Sequence, residues 1–156
     1  MFHIVLYQPE IPPNTGNIIR LCANTGSDLH LIHPLGFYLN EARLRRAGLD
    51  YHEAARVQEH ENFDVFLSRI SPPRIFAFST RAGASCFATE FRTGDAFLFG
   101  PETRGLPIDM LDRFPCERQL RIPMRPGNRS LNLSNAVAVV AYEAWRQCAF
   151  EGADRL

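Results

Sequence analysis

Short apolar runs alternate with segments of helical periodicity along this chain of 156 residues. Each run is only a few residues long and is closed by proline, glycine or polar residues, which is typical of buried strands. The runs cover residues 3–7, 29–33, 74–79, 95–99 and 119–122. Strands that alternate with helices favour a mainly parallel sheet covered by helices on both faces. We therefore predict a single α/β domain spanning residues 1–156.

Three helices are predicted from end signals between these runs. The first begins after a proline-rich loop, with Asn14 or Thr15 as its N-cap and Gly26 as its left-handed stop. The other two are marked mainly by proline, either just after the last residue or in the first turn. In sequence order, the three predicted helices are about residues 14–25, residues 62–70 and residues 107–114. A fourth, short and rich in arginine, is predicted over residues 41–47.

The last helix has the clearest pattern, because apolar residues recur at steps of three and four from Leu133 onward. The arc also takes in Ala141, Tyr142 and Trp145, which makes it wider than one sheet can cover. A two-fold contact with a second copy is a common way to bury such a surface, so we predict a homodimer. The stripe expected to face the sheet is Leu133, Val137, Val140, Ala144 and Cys148.

The charged residues exclude a strong overall field but leave local clusters. Acidic and basic residues number 17 each, and all the basic ones are arginine. Without net charge, only local clusters can hold a polyanion such as a phosphate backbone. We take Arg43, Arg45 and Arg46 as the first candidate for RNA contact; the alternative is a solvated helix face paired with nearby carboxylates. A second cluster is Arg121, Arg125 and Arg129.

Cysteine spacing and the absence of long apolar runs limit the class of protein. Cys22, Cys86, Cys116 and Cys148 form no CxxC pair, so neither a zinc site nor disulfides are expected. We expect them to be buried or half-buried thiols. No apolar run is long enough to span a bilayer, and the N-terminus lacks a signal peptide. We therefore expect a cytoplasmic protein without a metal or a membrane partner.

Three predicted strand ends lead into loops rich in glycine, proline and polar residues, at residues 8–20, 99–107 and 122–135. In an open α/β sheet, ligands bind beyond the carboxyl ends of the strands. Gly100 and Gly105 bracket a loop with Glu102 and Arg104, and glycine lets a ligand approach the backbone closely. The alternative for this loop is a tight turn with a surface ion pair.

The third loop brings more polar side chains to a helix start than capping requires. Ser130, Asn132, Ser134 and Asn135 lie at or near the N-terminus of the last helix. Spare donors there can bind an anion or an adenine edge, although a generously capped helix is the simpler alternative. No GxGxxG, GxxxxGK[ST], HExxH or GxSxG string is present, which argues against the usual dinucleotide, P-loop, zincin and α/β-hydrolase sites.

Taken in order, three strings resemble the three motifs of the SPOUT methyltransferases. They are NTGNIIR at residues 14–20, FGPETRG at residues 99–105, and IPM followed by SLNLSN between residues 122 and 135. Within that superfamily the chain resembles the bacterial tRNA ribose methyltransferases of the wobble cytidine or uridine. The similarity runs nearly end to end and includes RLRRAGLDYH from Arg43 and YEAWRQ from Tyr142.

The resemblance implies a fold that local patterns do not reach. In this family the C-terminal part of the α/β domain makes a deep trefoil knot, a rare exception to unknotted chains. The loops around residue 100 and at residues 122–131 would form it, with S-adenosyl-L-methionine bound inside. The positions implied for the cofactor are Phe78, Ser79, Gly100, Ile122, Met124, Ser130 and Leu131.

The resemblance also implies the catalytic residues Arg20, Glu102 and Asn132. A guanidinium hardly deprotonates in proteins, so we expect Arg20 to hold the phosphate beside the target ribose and to stabilise negative charge on its 2′-oxygen. Glu102 and Asn132 would orient the ribose or Arg20. Tyr142 would lie near the partner subunit's site and contact RNA.

The implied substrate is tRNA, with leucine tRNAs as the expected targets and a homodimer as the expected assembly. Two other functions stay open at this point. One is ribose methylation of ribosomal RNA by the same fold. The other is a non-catalytic RNA-binding protein that keeps the knot. Retention of Arg20, Glu102 and Asn132 together argues against the second.

Overall fold

The computed structural model describes residues 1–38 and 56–154. The predicted helix at residues 41–47, and with it the predicted RNA contacts Arg43, Arg45 and Arg46, lies outside the described residues.

Seven strands occur in the described residues: β1 His3–Tyr7, β2 Asp28–Ile32, β3 Val57–His60, β4 Ile75–Phe78, β5 Ala84–Ser85, β6 Ala96–Phe99 and β7 Gln119–Arg121. They form one parallel sheet, in the order β3–β2–β1–β6–β4–β7–β5. The five predicted strands are confirmed, each to within a residue or two at its ends. The two further strands, β3 and β5, lie at the edges of the sheet, where no continuous apolar run is needed. The sequence left residues 55–57 open as a possible short strand, and β3 begins at Val57.

Four α-helices occur in the described residues: α1 Pro12–Thr25, α2 Phe63–Ile70, α3 Ile108–Leu111 and α4 Leu133–Gln147. Their C-terminal and N-terminal signals act largely as predicted. Gly26 ends α1 with φ 70°, and the Asn62 side chain caps α2 by accepting a hydrogen bond from the Val65 amide at 2.9 Å. Helix α3 is shorter than the predicted residues 107–114, because the chain turns after Leu111.

The predicted N-cap of α1 at Asn14 or Thr15 is wrong. The helix begins at Pro12, with Ile11 at the N-cap position and no capping side chain. Proline at the first helical position has no N–H to satisfy, so a cap is less needed. Asn14 and Thr15 are instead buried in the first turn, 6% and 1% exposed.

Helices cover both faces of the sheet, as predicted. On one face α1 and α4 pack over strand residues such as Ile4 and Leu6, and on the other α2 and α3 pack over Val5 and Leu98. The stripe on α4 is buried except for the half-buried Cys148, but Ala141 is also buried at 1% exposure. Placing Ala141 in the outward arc was therefore wrong.

The four cysteines are free thiols in the structure. Cys22 and Cys86 are buried and Cys148 is half-buried. Cys116 is exposed, which corrects the expectation that all four would be covered; it lies in a short 3₁₀ helix before β7 rather than within a packed element.

Three histidines form a hydrogen-bonded chain across β1, β2 and β3. His3 Nδ1 lies 3.1 Å from His30 Nε2, and His30 Nδ1 lies 3.0 Å from His60 Nε2. His30 is fully buried, and burial lowers its pKa to about 3, so its ring is neutral near pH 7. The rings of His30 and His60 also pack against Phe66, which gives these histidines a structural role.

In the part of the chain that the structure describes, no helix is long and apolar enough to cross a membrane.

Candidate active site

Strands β4, β6 and β7 end side by side at one edge of the sheet. Phe78 is level with Phe99 on one side and with Leu120 on the other. Ser79, Gly100 and Arg121, the next residues after Phe78, Phe99 and Leu120, therefore emerge together. This is the edge at which open parallel sheets bind ligands.

A pocket of about 710 Å³ lies at this edge. It is walled by the segments after β4, β6 and β7 and by the first turn of α4. That volume lies within the range usual for small-molecule and cofactor sites. The pocket brings together all seven positions that the sequence implied for the cofactor, namely Phe78, Ser79, Gly100, Ile122, Met124, Ser130 and Leu131.

The pocket combines an apolar floor with exposed apolar groups. Phe78 and Phe99 are buried and stacked, with ring centroids 4.8 Å apart. Met124 and Leu131 also line the pocket but are 37% and 42% exposed. A ligand with an apolar or aromatic part would cover these two side chains and gain free energy by doing so.

The carboxylate of Glu102 holds the loop that precedes α1. Its Oε2 accepts a hydrogen bond from the Glu10 amide at 2.7 Å, and its Oε1 accepts one from the Ile11 amide at 3.1 Å. Oε1 also accepts one from Asn14 Nδ2 at 3.2 Å. Glu102 thus positions the first motif by direct contact, which the sequence had not indicated.

Asn14 and Asn132 extend this contact into a chain that joins all three motifs. Asn132 Nδ2 donates to Asn14 Oδ1 at 2.9 Å, while Asn132 Oδ1 caps α4 by accepting from the Ser134 amide at 2.9 Å. The oxygen of each amide is thereby directed to one partner and its NH₂ to the next. Sequence reasoning identified Glu102 and Asn132 but missed Asn14, whose presence in the NTGNIIR string was the available signal.

Glu10 also connects the loop before α1 to the loop that contains Glu102, but here the acceptor lies in the loop before α1. Its carboxylate accepts hydrogen bonds from Thr103 Oγ1 at 2.6 Å and from the Arg104 guanidinium at 2.9 Å. The hydrogen bond from the Thr103 side chain lowers the pKa of Glu10, so this carboxylate stays ionised at neutral pH. The surface ion pair considered for this loop does exist, but it joins Arg104 to Glu10.

Gly100 is required because residues 105 and 106 fold back closely against its backbone. A Cβ atom at this position would lie 2.1 Å from the Leu106 amide nitrogen and 2.3 Å from the Gly105 carbonyl carbon. Both neighbours are backbone atoms and cannot move aside by changing rotamer. The glycine therefore lets residues 105–106 fold back over the end of β6.

Two of the remaining predicted residues lie elsewhere. Arg20 is exposed on α1 and is not among the described residues that line the pocket. Tyr142 is 47% exposed on α4, with its ring edge-on to Trp145, and it too is not a lining residue. The pocket of one chain therefore unites Glu102 and Asn132 but not Arg20.

Within residues 1–38 and 56–154, no group of three or more His, Cys, Asp or Glu side chains is arranged to hold a metal ion.

Comparison with known proteins identifies the family. The family model described as the SpoU rRNA methylase family matches residues 1–142. The chain belongs to the SpoU methylase family. This confirms the resemblance to the SPOUT methyltransferases, and the parallel α/β fold agrees with it.

Relatives within this family are similar over almost their whole length. A tRNA (cytidine(34)-2′-O)-methyltransferase of Burkholderia ambifaria is 61% identical over 154 residues, which cover 97% of this chain and 99% of the relative. One of the same name from Escherichia coli is 58% identical over 153 residues, 98% of each chain. A solved structure concerned with 2-OH methylation of C/U34 on tRNA has a TM-score of 0.87 at 51% identity, covering 97% of this chain and 98% of that one.

Proposed function

We propose that this protein transfers the methyl group of S-adenosylmethionine to the ribose 2′-oxygen of the wobble cytidine or uridine, nucleotide 34, of tRNA. The observation that carries the proposal is the convergence of the three motifs on one pocket through Glu102, Asn14 and Asn132. The names of relatives about 60% identical to this chain support nucleotide 34 of tRNA as the target. Leucine tRNAs stay the predicted substrates.

The proposed fold includes the C-terminal knot. In it, the loop at residues 100–106 and the segment at residues 122–132 would be threaded around the pocket that both line. Membership of the SpoU methylase family supports this arrangement.

The pocket fits S-adenosylmethionine in size and in the mixture of groups that line it. When bound, the cofactor supplies an electrophilic methyl group on a cationic sulfonium. Transfer of this methyl group to the ribose 2′-oxygen would leave a neutral thioether and release the hydroxyl proton to water, so alignment of the two reactants is the main requirement. Glu102, Asn14 and Asn132 supply alignment by fixing the loops that form the pocket.

We assign Arg20 to the ribose and its phosphate and not to the cofactor. A guanidinium can bind a phosphate through two parallel hydrogen bonds and can stabilise negative charge on the 2′-oxygen. Since Arg20 does not line the pocket of its own chain, we propose that it acts on the pocket of a second subunit. Arg20 follows Asn14 by six residues, more than a turn and a half of helix, and so lies on another face of α1.

A transfer assay tests the proposed function against its alternatives. Purified protein, labelled S-adenosylmethionine and either unmodified leucine tRNA, other tRNAs or ribosomal RNA fragments are incubated together. We expect label in tRNA and binding of the cofactor in titration calorimetry. Label only in ribosomal RNA would favour the alternative suggested by the family's description. Folded protein that binds tRNA but not the cofactor would identify a non-catalytic RNA-binding protein.

We propose a homodimer formed through the exposed side of α4. Val139 is 37% exposed and Tyr142 47%, and Phe150 beyond the helix is 41% exposed. Trp145 lies between them, in edge contact with both Tyr142 and Phe150. Such a patch on one helix is suited to a self-complementary two-fold contact.

Analytical ultracentrifugation at micromolar concentration checks the dimer. The wild-type protein is expected to sediment as a dimer, and the double variant Val139→Glu, Tyr142→Glu as a monomer with greatly reduced transfer activity. Phe87→Glu is the control, since Phe87 is 51% exposed but lies outside α4. A wild-type monomer with full activity would contradict the assignment of α4.

A further inference from the structure

Four exposed arginines line the same pocket. Arg104 is paired with Glu10, and the other three are Arg81, Arg121 and Arg129. Arg81 follows β4, Arg121 ends β7, and Arg129 precedes α4. Because β4 and β7 are paired neighbours, the first two emerge at the same edge of the sheet. We name these three residues the arginine rim.

The rim differs from six other arginines of the described chain, because its guanidinium groups have no partners. Among the described residues, no side chain or backbone group forms a hydrogen bond or an ion pair with a guanidinium of the rim. By contrast, carboxylates pair with Arg56, Arg74, Arg92, Arg104, Arg113 and Arg146.

The acidic groups near the rim are already engaged. Glu102 lines the pocket, but its two oxygens accept hydrogen bonds from Glu10, Ile11 and Asn14. The carboxylate of Glu10 is taken by Thr103 and Arg104. The rim is therefore a local concentration of positive charge in a chain with equal numbers of acidic and basic residues.

Like charges gathered without counter-charges repel one another, so the rim gains nothing for the folded state by itself. A ligand with several regularly spaced anions would relieve that repulsion. Guanidinium groups bind phosphate oxygens well, and they do so without reading the base. On the basis of the proposed function, we infer that the arginine rim binds the backbone phosphates of tRNA beside the nucleotide whose ribose enters the pocket.

The carboxylate of the cofactor is the competing ligand for these arginines. It offers a single negative group, whereas the rim presents three cations from three separate segments. The two ligands make different predictions. Phosphate binding contributes to the salt dependence of tRNA affinity, because each neutralised phosphate releases counterions. Cofactor binding through the rim contributes to the affinity for S-adenosylmethionine.

The test measures both affinities in the intact protein. Binding of labelled tRNA is followed by fluorescence anisotropy over a salt series, and cofactor binding by calorimetry. The variants are Arg81→Gln, Arg121→Gln, Arg129→Gln and all three combined. Arg69→Gln is the matched control, because Arg69 is exposed on α2, has no ion pair among the described residues and does not line the pocket.

We expect the triple variant to bind tRNA about 100-fold more weakly at moderate salt, with the salt slope reduced by about two. Each single variant should account for part of this loss. The affinity of the rim variants for S-adenosylmethionine should stay at the wild-type level, and so should both affinities of the Arg69→Gln control. A triple variant with wild-type tRNA affinity and salt slope would overturn the inference. So would a loss of cofactor affinity with tRNA affinity unchanged. The transfer assay with wild-type protein tests the proposed function separately, and that function fails if the protein methylates no tRNA.

Discussion

Replacing Arg20 by alanine is expected to lower the rate of methyl transfer by about 100-fold or more, the usual cost of removing a group that stabilises transition-state charge. The melting temperature and the affinity for S-adenosylmethionine should change little, because Arg20 is exposed and does not line the pocket. Single-turnover transfer to tRNA, calorimetry and thermal unfolding measure the three quantities. Arg69→Ala provides the matched control on an exposed helix position. A wild-type rate in Arg20→Ala would contradict the catalytic role.

Mixing two inactive variants shows whether Arg20 acts across the subunit boundary. Arg20→Ala keeps an intact pocket, and Asn132→Ala keeps Arg20 but loses the link to Asn14. If Arg20 serves the partner's pocket, mixed dimers have one complete site, and random reassociation should restore about a quarter of the wild-type activity. If Arg20 serves its own pocket, each site of a mixed dimer lacks one residue. Mixtures that stay inactive while dimers exchange would rule out action across the boundary.

Gly100→Ala is expected to weaken cofactor binding strongly. The added Cβ would lie 2.1 Å from the Leu106 amide nitrogen, so residues 105–106 must move away from the end of β6. Such backbone displacement should lower the free energy of unfolding by about 3 kcal/mol. It should weaken S-adenosylmethionine binding by about 100-fold or more, equivalent to about 2.7 kcal/mol.

Gly83→Ala is the control for this substitution. No atom lies within 4 Å of a Cβ built at Gly83, so alanine should be neutral or slightly stabilising there. Chemical denaturation and calorimetry compare the two variants. Wild-type cofactor affinity in a folded Gly100→Ala protein would show that the fold-back of residues 105–106 over Gly100 is not needed to form the pocket.

Local patterns in the sequence were enough to predict most elements of the sheet and the place of the pocket. A buried parallel strand needs an apolar run, which is visible in the sequence. The helix stop at Gly26 and the apolar stripe on α4 are also local patterns, because each depends on residues close together in the chain. Edge strands need no such run, which is why β5 was missed. The rule that ligands bind beyond parallel strand ends correctly predicted that the segments after β1, β6 and β7 would meet.

Long-range contacts could not be predicted in the same way. Asn14 reaches Glu102 and Asn132 across separations of 88 and 118 residues, and no local pattern encodes which polar side chain will be buried there. The same string suggested an N-cap, because Asn near a helix start most often serves that purpose. The motif order likewise grouped Arg20 with Glu102 and Asn132, although helix rotation turns Arg20 away from the pocket of its own chain.

Mass-spectrometric mapping of ribose methylation in tRNA, from cells with and without the gene, tests the central claim most directly. We predict a 2′-O-methyl group on nucleotide 34 that disappears when the gene is deleted. The wild-type gene should restore it, and a gene carrying Arg20→Ala should not. Unchanged methylation of nucleotide 34 after deletion, or loss of a methyl group from ribosomal RNA instead, would contradict the proposed function.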